Sequence, residues 1–151
     1  MKGSLEDYQS MRDFARTPEP SGGEVPEVPF FVVQEHHASH FHHDFRLLLD
    51  DVLKSWAVPK GMPEKPKVKR LAVQTEDHPV AYGSFEGVIP EGEYGAGTVS
   101  IWDRGEFVLE EREEGKIVVE LKGRKLTGTY ALIKFKGKEK DENNWLVMRT
   151  H

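Results

Sequence analysis

The chain contains no cysteine, which excludes disulfides, thiolate zinc sites and cysteine nucleophiles and leaves histidine and carboxylate as the strong metal ligands. An intracellular protein is the expectation. No apolar run approaches the roughly 20 residues of a membrane span, and the segment Met1 to Asp7 lacks the hydrophobic stretch of a signal peptide. A cytoplasmic location without membrane contact follows. Helical periodicity is scarce as well, since no apolar repeat at helical spacing runs beyond about three turns. Apolar residues make up only 37% against 31% charged, yet Trp, Phe, Tyr, Val, Ile and Leu recur throughout 151 residues. That is the composition of one folded domain rather than a disordered chain. The net charge of −5 argues against broad, nonspecific coating of nucleic acid, although it averages over local patches.

What is present is a series of short β-type runs separated by turn residues. Residues 1–29 are poor in apolar side chains and end in Thr17-Pro18-Glu19-Pro20-Ser21-Gly22-Gly23-Glu24-Val25-Pro26-Glu27-Val28-Pro29, which cannot sustain helix or sheet. They predict an N-terminal arm with one helical turn around Tyr8 to Phe14. From Phe30 onward, strands are predicted over 30–34, 41–49, 53–58, 71–75, 98–102, 106–110, 116–121, 128–135 and 145–149. Turns are predicted at Asp50-Asp51, Asp103-Arg104-Gly105, Glu114-Gly115 and Lys122-Gly123. The fold class is therefore mainly β, an antiparallel barrel or sandwich over residues 30–151, with short helical turns and the arm. The segment Phe85 to Gly97 is predicted irregular; its glycines are read as turn residues and given no ligand role.

Five of the seven histidines fall between His36 and His43. Alternation along a strand puts His42, Asp44 and Arg46 on one face and Phe41, His43, Phe45 and Leu47 on the other. His42 and Asp44 are then about 7 Å apart at Cα and can reach one ion. His36 shares their phase but lies about 20 Å from His42 on a straight strand. A turn at Ala38-Ser39 is required to bring it back. Such a turn gives two imidazoles and a carboxylate with open coordination positions, and Arg46 beside them to fork onto an anion. His37, His40 and His43 are out of phase or in the turn and stay unassigned. The bland alternative is a surface histidine tract that collects metal adventitiously.

Two further features bear on the anion. Lys54, Lys60, Lys65, Lys67, Lys69 and Arg70 face a single acid, Glu64, in the stretch 54–70, which reads equally as a polyanion dock or a solvated loop. His78 and Tyr82 follow a strand, with Pro79 fixing the turn. Metal, arginine and histidine together suit phosphoryl chemistry.

The ordered set Gln34-x-His36, His42-x-Asp44-x-Arg46-Leu47, Leu53-Lys54-Ser55-Trp56-Ala57-Val58-Pro59-Lys60-Gly61, Glu76-Asp77-His78-Pro79, Tyr82, Phe85-Glu86-Gly87 and Tyr94-Gly95-Ala96-Gly97 closely resembles the 3′-phosphoesterase domain of bacterial and archaeal ATP-dependent DNA ligase D. Arg12-Asp13-Phe14 and Thr17-x-Glu19-Pro20 extend the resemblance into the arm, and Gly128 to Leu132 and Trp145 to Val147 extend it to the C-terminus. The resemblance implies a compact β-barrel and a manganese-dependent DNA-repair nuclease, with cobalt or zinc as substitutes. It removes a 3′-terminal ribonucleoside as a phosphodiesterase, then the 3′-phosphate as a phosphomonoesterase, leaving a 3′-hydroxyl. It implies His36, His42 and Asp44 as metal ligands and Arg46, His78, Tyr82, Arg12 and Glu19 as catalytic residues. Arg46, His78 and Arg70 are implied to hold the substrate phosphate, with Asp13 and Gln34 supporting these groups from behind. The arm is then expected to fold back over the site.

Two departures stand out: Asp50-Asp51-Val52 replaces an acid-glycine turn, and the extra histidines leave room for a second, adventitious metal. The length suggests a free-standing version, partnered by primer-template 3′ ends and by a separate DNA ligase, polymerase and Ku in non-homologous end joining. Two other classes compete. A cupin-like oxygenase would use the same ligands on iron and consume oxygen, and an end-binding module would bind nucleic acid without turnover.

Overall fold

Alternating apolar and polar positions dominate the chain after Pro29, and they form strands that all pair antiparallel. The computed structural model describes residues 4–135 and 143–151. After a short helix α1 (Glu6–Ser10) come β1 (Phe30–His37), β2 (Phe41–Leu49), β3 (Val52–Val58) and β4 (Lys69–His78). A 3-10 helix (Val80–Ser84) and β5 (Gly87–Ile89) lead into β6 (Gly97–Glu113), β7 (Lys116–Lys122), β8 (Thr127–Lys134) and β9 (Asn144–Arg149). The sheet order is β1-β2-β3-β4-β9-β8-β7-β6-β5, and β1 also pairs with β6. That last pairing closes an eight-stranded antiparallel barrel, with β5 added along β6. Asp50 and Asp51 both take positive φ, 56° and 64°, the twist a two-residue hairpin between right-handed strands needs. Gly115 does the same at the β6–β7 turn with φ 80°.

The barrel interior is a chain of rings. Phe31 and Phe45 lie 6.3 Å apart, Phe45 and Trp56 6.3 Å, and Trp56 and Trp145 5.6 Å. Leu47, Leu121, Leu132 and Val147 fill the space around them and are essentially fully buried. Truncating Trp56 to alanine is expected to cost about 3–5 kcal/mol. With the inward positions so occupied, the polar residues at Gln34, His36, Asp44, Arg46 and Ser55 lie on the outer face of β1, β2 and β3.

Three expectations are corrected. Asp103-Arg104-Gly105 is no hairpin: β6 runs unbroken through it. Asp103 is buried, and its carboxylate accepts N–H bonds from Arg104, Arg124, Lys125 and Leu126 at 2.8–3.1 Å, thereby fixing the β7–β8 connection. Gly105 is there for close approach, since a Cβ at that position would stand 2.2 Å from the Lys122 carbonyl oxygen. The irregular stretch 85–97 contains strand β5, held to β6 at Gly87 to Ile89. The helical turn is α1, shifted toward the N-terminus of the expected one, because Asp13 Oδ1 accepts the Ala15 N–H and starts a separate turn there.

α1 packs on β4. Its Tyr8 is fully buried against Phe14, His78 and Tyr82, and its hydroxyl donates to the Pro20 carbonyl. Among the described residues no helix is long and apolar enough to cross a membrane.

Candidate active site

The β1–β2 hairpin pairs His36 directly with His42 and Gln34 with Asp44. The chain reverses between His37 and Phe41, around Ala38-Ser39. One ligand atom each from His36, His42 and Asp44 then falls within 4.8 Å of the others. His36 Nε2 lies 2.8 Å from the Gly95 carbonyl and His42 Nδ1 3.1 Å from the His40 carbonyl. A carbonyl only accepts, so both nitrogens carry hydrogen. The opposite nitrogens, His36 Nδ1 and His42 Nε2, stand 3.5 and 3.3 Å from the Asp44 carboxylate. In neutral rings these are two lone pairs facing an anion, an arrangement that is repulsive unless a proton or a cation sits between them. The donor set therefore fits a divalent metal, with backbone carbonyls orienting the rings from behind.

A proton in place of the metal makes the same link. The Asp44 hydrogen bond pushes His42 upward, against the burial that would lower it. Burial alone would raise Asp44, but hydrogen bonds to His36 and His42 and the charge of Arg46 hold it far below the ordinary carboxylate range.

Arg46 comes next along the same face and is 3% exposed. Its Nε donates to Gln34 Oε1 at 2.7 Å, its Nη2 lies 3.5 Å from Asp44 Oδ2, and its guanidinium sits 4.7 Å from the Tyr82 ring centroid. Its Nη1 is buried with no hydrogen-bond partner among the described residues. Gln34 is fully buried, and its Nε2 donates to the Tyr82 and Phe85 carbonyls at 2.8 and 3.0 Å. One amide thus ties the 3-10 helix to the sheet and aims the arginine.

His78 reaches this face through a strand irregularity. On β3, Leu53 and Ser55 are two apart, yet their partners on β4 are His78 and Thr75, three apart. The extra residue reverses the alternation, so His78 shares the face of Thr75 while Asp77 bonds Lys54 at 2.9 Å. Without this bulge the two would exchange sides. His78 Nδ1 bonds the Glu76 carbonyl at 2.8 Å, leaving Nε2 as the unprotonated nitrogen. Burial, then the charges of Arg46 and Arg12, push its pKa well below the usual value, so the ring is neutral.

The arm supplies the remaining wall. Arg12 donates from Nε to Glu19 Oε2 at 3.0 Å and from Nη2 to Glu76 Oε1 at 3.1 Å, with His78 Nε2 3.5 Å away. Glu19 also accepts from the Tyr82 hydroxyl at 2.8 Å and from Thr17 Oγ1 at 3.0 Å. Burial first, then the charge of Glu19 against those of the arginines, leaves the Tyr82 phenol raised and protonated. A cavity of about 250 Å³ gathers Arg12, Glu19, His36, His42, Asp44, Arg46, His78 and Tyr82.

Two residues from the sequence reading lie elsewhere. Asp13 is exposed and serves the 13–17 turn that presents Thr17 and Glu19. Arg70 does not line the cavity; its Nη1 donates to the Lys60 and Gly61 carbonyls. Sequence reasoning missed Tyr8, Thr17, Glu76 and Gly95. Glu76 had a signal, being the first acid of Glu76-Asp77-His78-Pro79. Gly95 had a fainter one, in the glycine spacing of its loop, where it takes φ 76°.

Residues 34–134 match the family described as the DNA ligase D 3′-phosphoesterase domain. The chain is 48% identical over 159 residues to the multifunctional non-homologous end joining protein LigD of Mycolicibacterium smegmatis, covering 96% of this chain and 20% of that protein. It is 47% identical over 149 residues to LigD of Mycobacterium tuberculosis, covering 94% and 19%, and 47% identical over 156 residues to LigD of Pseudomonas aeruginosa, covering 96% and 18%. The chain therefore spans about a fifth of the length of these relatives.

Proposed function

The chain belongs to the DNA ligase D 3′-phosphoesterase domain family, and on that premise we propose that it is a manganese-dependent hydrolase that repairs 3′ ends of nucleic acid. It removes a 3′-terminal ribonucleoside and then the remaining 3′-phosphate, leaving a hydroxyl for sealing. The observation that carries this reading is the buried, unpaired Nη1 of Arg46 beside the His36, His42 and Asp44 triad. A buried guanidinium with a free donor is costly unless an anion completes it. The cavity's charges supply the same logic. With three carboxylates, Glu19, Asp44 and Glu76, against two arginines, the side-chain charges other than the histidines sum to one negative, and a divalent ion brings that sum to one positive. A phosphate needs the second state.

His36, His42 and Asp44 would hold a divalent ion, which would supply Lewis-acid polarisation of a phosphoryl oxygen and acidification of the attacking water. The chain's own groups do the rest. Arg46 Nη1 donates to a phosphoryl oxygen, and its charge meets the charge developing at phosphorus. Water attacks phosphorus, the bond to the departing oxygen breaks, and a proton moves from the water side to the leaving group. His78 Nε2, unprotonated and lining the cavity, can hold that proton in transit. Arg12 keeps its contacts to Glu19 and Glu76 and positions the wall around His78.

The activity serves DNA repair by non-homologous end joining, in the cytoplasm, with primer-template 3′ ends as substrate and a ligase, a polymerase and Ku as partners. The oxygenase reading leaves Arg46 and His78 without a task. A labelled primer-template bearing either a 3′-ribonucleotide or a 3′-phosphate, incubated with manganese, magnesium, cobalt or zinc, tests the proposal. His42→Ala and Asp44→Ala should abolish both steps, and full activity in either variant would refute it.

A further inference from the structure

Three histidines of the run do not line the cavity, and two of them, His37 and His43, lie on the opposite face of the same hairpin, where the Gly61 end of the basic stretch meets His43. His36 and His42 point to the cavity, so His37 and Phe41 point away from it. On that side Phe41, His37, Thr98 and Val88 stand directly opposite one another across β2, β1, β6 and β5. All four are exposed, Phe41 at 47% and Val88 at 63%. Rings continue behind this row: His37 to Phe41 at 4.7 Å, Phe41 to His43 at 5.8 Å and His43 to Trp102 at 4.6 Å. Positive charge borders the ladder at its Trp102 end. Lys125 Nζ lies 4.7 Å from the Trp102 centroid. On the other side the Met62 N–H donates to His43 Nδ1 at 3.0 Å, and Gly61 backs that ring within the loop that Arg70 braces beside Lys60. Glu35 lies 3.8 Å from His43 Nε2, and the charge of Glu64 also reaches that ring.

We propose that this face docks single-stranded nucleic acid, the unpaired strand opposite the 3′ end under treatment. Its bases stack on the exposed rings of Phe41 and His37, and its phosphates meet Lys125 and Lys60. The inference rests on the end-processing reading above, which puts the 3′ end on the cavity face. The β1–β2 tip, residues 38–40, then works as a wedge: the treated strand passes on the metal side and its complement on the aromatic side. Every base offers a π face, so such a platform accepts any sequence, and neighbouring cations give the affinity its salt dependence.

Fluorescence anisotropy with three labelled DNAs tests this: a single strand, a duplex with a recessed 3′ end and a long template overhang, and a blunt duplex. Phe41→Ala should weaken the first two about tenfold and leave the blunt duplex unchanged. Lys125→Glu should do the same, and it guards against a folding defect at the hairpin tip. Hydrolysis of bis-p-nitrophenyl phosphate and manganese binding by calorimetry should not move. Equal wild-type affinity for overhang and blunt ends, or equal losses on both in Phe41→Ala, would overturn the proposal. Failure of the activity reading looks different: no end is processed, while Phe41-dependent binding of single strands persists.

Discussion

Replacing Arg46 by methionine keeps the length of the side chain and removes its charge, and the structure predicts three effects that differ in sign. Activity should collapse. Losing one preorganised donor to a developing oxyanion costs about 10²–10³ in rate, and a charged arginine at a transferred phosphoryl group is worth about 10³–10⁵, so kcat/KM should fall at least about 10³-fold. Stability should barely change. The attraction to Asp44 Oδ2 at 3.5 Å is about 5 kcal/mol at an effective dielectric near 20, but burying a guanidinium costs several kcal/mol. Gln34 Oε1 loses a donor, while the unpaired Nη1 disappears. The balance is a Tm shift within about 4 °C. Manganese binding should hold or tighten, because a cation is withdrawn from beside the ligands. Calorimetric titration with manganese, thermal melting and primer-template kinetics on one preparation measure all three. A variant that loses the metal, or that keeps more than a tenth of the activity, refutes the division between ion-holding and phosphate-holding residues.

Asp103→Ala strips the acceptor from four backbone N–H groups; a loss of about 3 kcal/mol should lower Tm by about 6–12 °C, and a drop under 2 °C would contradict the capping role. The depressed pKa of His78 means that the unfolded chain takes up a proton near pH 6.5 that the folded protein refuses. Stability should therefore fall as pH drops below about 6.5, by at most about 1.4 kcal/mol per unit. His43 is also lowered, by burial, and contributes with the same sign. The difference between wild type and His78→Gln in urea melts from pH 7.5 to 5 therefore isolates His78, and parallel curves would disprove its neutral burial. Glu19→Gln should weaken the junction of Arg12, Tyr82 and Thr17. Limited proteolysis should then cut within residues 12–22 several-fold faster, with the cut rate unchanged if the arm is held by Tyr8 alone.

Strand phase was enough to single out His36, His42 and Asp44, because alternation and one turn leave few ways to bring them together. The hairpin at Asp50-Asp51 was equally readable, since its residues are ones that tolerate positive φ. Gly105 misled because a glycine placed for close approach to a neighbouring strand looks identical in sequence to one placed for a turn. The bulge in β4 leaves no compositional mark; which of Asp77 and His78 faces the site is decided by pairing with β3. Arg70 sat in a basic stretch that charge counting could not orient, and the structure turns it toward backbone carbonyls. Tyr8 and Thr17 were invisible because their partners, Pro20, Tyr82 and Glu19, come together only once the arm lies on β4.

The pairing of His36 with His42 sets up an unequal order of assembly. The three candidate ligands span nine residues and meet within one hairpin, a contact that closes on the microsecond scale of local structure. Arg12, Gly95, His78 and Tyr82 arrive from segments tens of residues away, and the closure of β1 on β6 joins positions more than sixty residues apart, the slow, non-local kind of contact. The candidate ligands can thus meet in an emerging chain before the rest of the cavity exists, and on the proposed reading an ion bound there would serve as an early staple while cleavage waits for the closed barrel.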